Sequence, residues 1–268
     1  VSGTTSFATG PELAARIEAH SVIAWPPTTV QYTDDGWVLR ATPELPRRGR
    51  SNHALVPTRP LQPGEYAAAL AKVADFAAAN GVACGLQIGP TEYHQHLIEE
   101  LSTRGWGLQQ DVIVMTAATQ TVAADADPEF LLEVDDSATP AWMAAWERSE
   151  GRDDADAHLQ SVFVSMAGRA RFARTGDRAV GISVEHDGIV GMFCLAVSPD
   201  HRRQGLGKAL VRAMLAQHDA PLTYLQVFSD NAAGRALYES LGFQEAYRYR
   251  HALAPDAQLV TPIDADTP

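Results

Sequence analysis

The stretch that most constrains this chain is residues 191–215: an apolar run GMFCLAV, a polar turn SPDHRRQGLG and a helical run KALVRAML. GMFCLAV is short and nearly unbroken, the pattern of a strand buried on both faces. In Ser198-Pro199-Asp200 the proline fixes one φ and the flanking polar side chains can bond nearby backbone, which is turn chemistry. Beyond Arg202-Arg203-Gln204, the glycines Gly205 and Gly207 open a run with Leu206, Leu210, Ala213 and Met214 at helical spacing. Glycines at a helix start leave several peptide N–H groups without partners and no side chain in a ligand's way. With the positive end of the helix dipole and Arg202, Arg203 and Lys208, they describe a pyrophosphate cradle. An ordinary strand-to-helix connection with solvated arginines has the same glycines, so the spacing alone leaves both readings open. A P-loop would need glycine where Arg202 stands and Ser or Thr where Ala209 stands. A dinucleotide fingerprint would want a small residue at Leu210 and a carboxylate about 20 residues on, where Leu225 and Val227 stand.

What remains is Arg-x-x-Gly-x-Gly from Arg202 to Gly207 behind an apolar strand. It resembles the acyl-CoA-binding motif of the GNAT superfamily of N-acetyltransferases. A second segment, Asn231-Ala-Ala-Gly-Arg-Ala-Leu-Tyr238-Glu-Ser-Leu-Gly242-Phe243, resembles that superfamily's late motif. Gly234 departs from the alanine usual there and loosens the helix by roughly 1 kcal/mol. The resemblance is specific over residues 180–253. It implies acetyl-CoA as co-substrate, with the pantetheine arm pairing strand-like with backbone around Leu195, Ala196 and Val197. It also implies that this strand splays from its neighbour, so that unpaired N–H groups face the thioester oxygen. Arg202, Arg203, Gln204, Gly205, Leu206, Gly207 and Lys208 would hold the pyrophosphate, mainly through main-chain N–H. Asn231 would bond the cofactor's amide or phosphate portion, Arg235 would add a phosphate contact, and Tyr238 would be the general acid beside the sulfur; a core tyrosine is the plainer alternative.

Acetyl transfer also needs a neutral amine, and a carboxylate, histidine or water chain serves as base. Glu147, Glu150, His158 and Glu185 are candidates, and none is singled out. No cluster has metal-ligand spacing: His94 and His96 are two apart on an expected helix and do not face together. The formal net charge of −12 over 268 residues argues against a nucleic-acid partner. No stretch approaches the roughly 20 apolar residues of a membrane span. The sequence opens without a basic, apolar leader, and Cys84 and Cys194 are far apart, so a reduced cytoplasmic setting is expected.

The first half carries a weaker echo of the second. Leu86-Gln87-Ile88, a helix, then Leu101 and Gly105-Trp106 parallel Leu225-Gln226-Val227, a helix, then Leu241-Gly242-Phe243. The corresponding upstream helix enters through Pro63-Gly64, where proline removes a donor and no Gly-x-Gly follows. With Trp-Pro and Asp-Gly-Trp-x-Leu-Arg early and Tyr-Arg-Tyr-Arg late, the whole chain is similar to two-domain actinobacterial-type members of the superfamily. The expected fold class is therefore α/β (α+β). Two GNAT-like domains follow, each a mixed, mostly antiparallel twisted sheet flanked by helices, the C-terminal one with a splayed central strand. Residues 11–118 form the degenerate copy, 119–127 a linker and 128–254 the catalytic copy. Residues 45–51 (LPRRGRS) read as a solvated loop, 129–134 as a strand and 151–156 as a mobile acidic segment. Trp142 and Trp146, one helical turn apart, either pack on the sheet or line the acceptor pocket. The expected activity is transfer of acetyl from acetyl-CoA to a primary amine of a small molecule. A protein lysine or N-terminus as acceptor, or a non-catalytic acyl-CoA sensor, are the alternatives, and oligomeric state, a homodimer included, stays open.

Overall fold

The structure is a computed structural model that describes residues 10–46, 48–150 and 159–255. The expected mobile segment 151–156, His158, Arg47 and the residues beyond 255 lie outside that range. The chain divides into two compact units that interleave along the sequence. Of the described residues, unit 1 takes those within 10–19, 27–114 and 245–255, and unit 2 those within 20–26 and 115–244. Helix α1 (Pro11–Ala24) and strand β5 (Gly107–Ala118) each run from one unit into the other.

Unit 1 contains β1 (Thr29–Tyr32), β2 (Val38–Ala41), α2 (Gly49–Asn52), β3 (Ala54–Leu55), α3 (Tyr66–Ala79), β4 (Gly85–Ile88), α4 (Gln95–Thr103) and the late strand β11 (Gln244–Leu253). Its strands lie in the order β1-β2-β3-β4-β11-β5. The β3/β4 pair is parallel, joined by α3, while β1/β2, β2/β3 and β4/β11 are antiparallel. Helix α3 forms because Tyr66, Ala69, Leu70, Val73 and Ala77 repeat at three- and four-residue spacing and are buried. The first four pack with Trp37, Leu39, Leu86, Ile88, Leu97 and Leu101, and Ala77 packs with Ala41 and Val82. A capping box closes the 3-10 turn Pro63–Glu65 that leads into α3: the Gln62 N–H donates to Glu65 Oε2 at 2.6 Å, and Arg59 pairs with the same carboxylate.

Unit 2 contains α5 (Thr119–Ala123), β6 (Glu133–Asp135), α6 (Pro140–Glu150), α7 (Leu159–Met166), β7 (Ala170–Thr175), β8 (Ala179–His186), β9 (Ile189–Val197), α8 (Leu206–Leu215), β10 (Leu222–Phe228) and α9 (Ala232–Glu239). Strand order is β10-β9-β8-β7-β6, antiparallel except for the β9/β10 pair that α8 connects. Each unit is therefore a mixed, mostly antiparallel sheet with one helix-bridged parallel pair, as the fold class expected. Trp142 is fully buried, stacks on Trp146 at 5.9 Å and donates from Nε1 to the Ala173 carbonyl at 3.0 Å. Phe163 and Phe172 meet it edge-on, so the tryptophans serve the core.

Three local expectations are corrected. The segment expected as a linker folds as α5, with Thr119 and Val122 buried and the Thr119 N–H donating to the Pro221 carbonyl. The strand expected over 129–134 is confined to β6. The arginine-rich stretch is not a solvated loop: Ser51 and Asn52 are buried, and Asn52 accepts from the Thr42 N–H at 2.7 Å and donates to the Leu45 carbonyl at 2.6 Å.

Candidate active site

Strands β9 and β10 are paired at only three positions, Leu222↔Ile189, Thr223↔Val190 and Tyr224↔Gly191. Beyond these, β9 runs on to Val197 and β10 to Phe228 without pairing to each other. The burial record follows the parting: Ile189 to Phe193 are buried, whereas Cys194, Leu195, Ala196 and Val197 are half-buried. The expected splay of the central strand is therefore present. On its other side β9 slips register against β8, from Val180↔Ala196 to Ile182↔Phe193. Two residues of β9, Cys194 and Leu195, thus oppose the single Gly181. Cys194 has φ +51°. A bulge of this kind re-aims the strand's peptide groups.

After Val197 the chain turns through Ser198-Pro199-Asp200 into α8. Arg203 has φ +63° and Gly205, the residue capping α8, has φ +80°. The first helical bond at this end runs from the Ala209 N–H to the Gly205 carbonyl. The peptide N–H groups of Arg203, Gln204, Gly205, Leu206, Gly207 and Lys208 have no acceptor among the described residues. A Cβ at Gly205 would meet nothing within 4 Å, so the space over this nest is open. A run of unpaired donors at a helix start with room above it fits a diphosphate. Arg203 and Lys208 have no ion-pair partner among the described residues and add positive charge there.

The other cofactor-site candidates fall around the same point with differing tasks. At Gly207 a Cβ would lie 3.4 Å from both Val197 and Leu237, where the β9 end, the α8 start and α9 converge. Arg202 is held away from the nest: its Nε donates to the Val197 carbonyl at 3.0 Å and Nη2 to the Ser149 carbonyl at 3.3 Å. The Gln204 amide donates to the Asp200 carbonyl. Asn231 caps α9 by accepting the Gly234 N–H at 2.7 Å. Arg235 donates to the Ser229 carbonyl and lies 3.7 Å from Glu239.

Tyr238, near the end of α9, is half-buried, its ring edge-on to Phe243 at 6.0 Å. Its hydroxyl has no hydrogen-bond partner among the described residues, and burial pushes its pKa up to about 12. The phenol therefore keeps its proton at neutral pH.

Of the base candidates, Glu185 lies opposite Val190, roughly 16 Å along β9 from Leu195 at about 3.3 Å per residue. It is engaged with His218 Nδ1 at 2.7 Å, and His218 Nε2 meets Ser183 Oγ at 2.8 Å. Burial lowers the His218 pKa despite that carboxylate. Glu147 is exposed on α6. Glu150 ends α6, and His158 lies outside the described residues. Two participants escaped the sequence reading: Gly181, opposite the bulge, and the positive φ at Cys194. An isolated glycine inside an apolar strand run was the available signal for the first. No helix among the described residues is long and apolar enough to cross a membrane. No group of three or more potential metal ligands occurs among them either.

Comparison with known proteins agrees in kind. Residues 14–252 match the family described as "Probable histone acetyltransferase Rv0428c C-terminal". The [ribosomal protein bS18]-alanine N-acetyltransferase of Escherichia coli is 48% identical over 58 residues, 20% of this chain and 39% of that protein. The chain thus spans about two-fifths of the length of that relative. A GCN5-related N-acetyltransferase from Kribbella flavida superposes with a TM-score of 0.67 at 18% identity, covering 92% of this chain and 97% of that one. A tandem GNAT protein from the clavulanic acid biosynthesis pathway superposes with a TM-score of 0.52 at 13% identity, covering 88% and 86%. The two superpositions speak to the fold.

Proposed function

This chain belongs to the Rv0428c C-terminal family of acetyltransferases within the GNAT superfamily, and on that footing we propose that it moves the acetyl group of acetyl-CoA directly onto a primary amine of a small molecule. Acetyl-CoA-dependent N-acetyltransfer is the activity of its family. The finer reading concerns the residues and the acceptor. One observation carries the coenzyme part of it: a run of partnerless peptide N–H groups from Arg203 to Lys208 beside the unpaired end of β9.

In this reading the nest and Lys208 hold the diphosphate, and the backbone of Leu195, Ala196 and Val197 meets the pantetheine arm as an added strand. Acetyl-CoA supplies an activated thioester. The amine's lone pair attacks the acetyl carbon, the new C–N bond forms and the C–S bond breaks. Peptide N–H groups freed by the splay stabilise charge on the carbonyl oxygen. Tyr238 donates its O–H to the departing sulfur, and the proton lost by the amine passes to solvent. Asn231 acts by holding α9, and Arg202 by tying the turn to β9; both support the site without direct contact. Residues 128–254 supply the coenzyme site, and residues 11–118 a copy in which the helix is entered through a turn capped by Glu65.

A second reading, a protein amine as acceptor, draws on the 48% identity to a relative named for an alanine of ribosomal protein bS18. The test is free-thiol release from acetyl-CoA across small amines and short peptides with free N-termini or lysines, for the native chain and Tyr238→Phe. Turnover on small amines, lowered in the variant, supports the first reading, and turnover on peptides alone supports the second. Bound CoA with no turnover on any acceptor contradicts both.

A further inference from the structure

We infer that Gly181 is a positioning residue of the transfer site, because the volume its side chain would fill is taken by Leu195 and Met214, and their packing there sets the backbone of the β9 bulge. This rests on the reading of Leu195 to Val197 as the strand end that meets the coenzyme. The register slip leaves Gly181 facing Cys194 and Leu195 together. A Cβ at Gly181 would lie 2.7 Å from Met214 Sδ, 2.8 Å from Leu195 Cδ2 and 2.9 Å from Met214 Cε. Those separations are well inside carbon–carbon and carbon–sulfur contact, so any side chain there displaces a neighbour.

Burial decides which neighbour moves. Met214 is 1% exposed, locked on the inner face of α8, whereas Leu195 is half-buried at the open end of β9. An added methyl group therefore drives Leu195 toward the cleft between the splayed strands and drags its peptide with it. Leu195 is where the pantetheine arm is proposed to pair, so the effect falls on coenzyme binding more than on the fold. Met214 belongs to the helix whose start forms the diphosphate nest, so the contact also joins that helix to the bulge.

The experiment measures acetyl-CoA KM, kcat and melting temperature for the native chain, Gly181→Ala, Met214→Ala and the double variant. Gly181→Ala is expected to raise KM about tenfold, as overpacking by one methyl group does, with kcat falling less. Met214→Ala alone lowers the melting temperature and, by loosening the packing on the bulge, raises KM less than Gly181→Ala does. The double variant removes the overlap with Met214 and opens room into which Leu195 can turn, which brings KM back to within about threefold of native. If Gly181→Ala does not fold, a double variant that folds with near-native KM still supports the overlap. A Gly181→Ala chain with native KM, or a double variant keeping the tenfold defect, overturns the assignment. A native chain that binds no acetyl-CoA overturns the coenzyme reading itself, and that result appears before any variant is made.

Discussion

At the scale of single residues, Tyr238 combines a partnerless hydroxyl with a pKa pushed up to about 12. Such a phenol stays protonated across the physiological range, so its proton is present for the donor role proposed above. Tyr238→Phe keeps the ring's contact with Phe243 and removes only the O–H. The expected result is a fall in kcat of about a hundredfold, with KM for acetyl-CoA within about threefold, read from steady-state thiol release. The native pH–rate profile should show no falling limb from this group below about pH 10. Cys84 makes a contrast. Burial raises its thiol to about 11, so it is unreactive at neutral pH.

At the scale of elements, α9 depends on its cap. Asn231 accepts the Gly234 N–H, and a Cβ at Gly234 would sit 2.9 Å from the Asn231 amide nitrogen. Asn231→Ala should destabilise the protein by about 1 kcal/mol and lower kcat through a loosened Tyr238, measured by urea unfolding and thiol release together. The elements of the site were legible because each has a strong local signature. GMFCLAV is β9, the glycines mark the start of α8, and Asn231 to Tyr238 has a cap and a periodic face. What stayed illegible is set across the chain. The bulge at Cys194 and Leu195 depends on the facing strand, and a one-residue slip leaves no trace in either strand's own pattern. The α2 turn is four residues long, held by Asn52 bonds to Thr42 and Leu45 that no periodicity announces. One neighbour of β11 is β4, with Arg250 opposite Ile88 and Leu253 opposite Gly85, and the other is β5; alternation in Tyr-Arg-Tyr-Arg predicts a strand without saying beside which ones it lies.

At the scale of the whole molecule, stability rests in part on buried polar groups. Arg40 is 1% exposed; its Nε donates to the His53 carbonyl at 2.9 Å and Nη2 to Gln87 Oε1 at 3.1 Å. Gln87 in turn donates to Glu18, which also accepts from the Tyr247 hydroxyl at 2.7 Å. Arg40→Ala leaves Glu18 buried without the nearby cation and should cost about 3–5 kcal/mol in urea unfolding. Histidines set the acid response. Burial lowers His53 to about 3 and His20 and His94 to about 4, and holds His251, 2.9 Å from His53, well below the usual range. In the unfolded chain each titrates near 6.5, so below that pH the unfolded state binds more protons than the folded one. Stability is therefore full above about pH 6.5 and falls as pH drops toward 4, by about 1.4 kcal/mol per pH unit for each such histidine. Urea midpoints at pH 7, 6 and 5 should decline in that order, and a flat series would contradict the burial of these rings.

The measurement that tests the central claim most directly is a calorimetric titration with CoA of the native chain and of Gly205→Val. Gly205 sits at φ +80°, where a β-branched residue is strained, and its replacement both distorts the nest and closes the open space over it. The account predicts one CoA per chain, bound through the Arg203 to Lys208 backbone, and affinity reduced at least tenfold in the variant while the melting temperature changes by only a few degrees. Two equal sites per chain, or unchanged affinity in Gly205→Val, would contradict it.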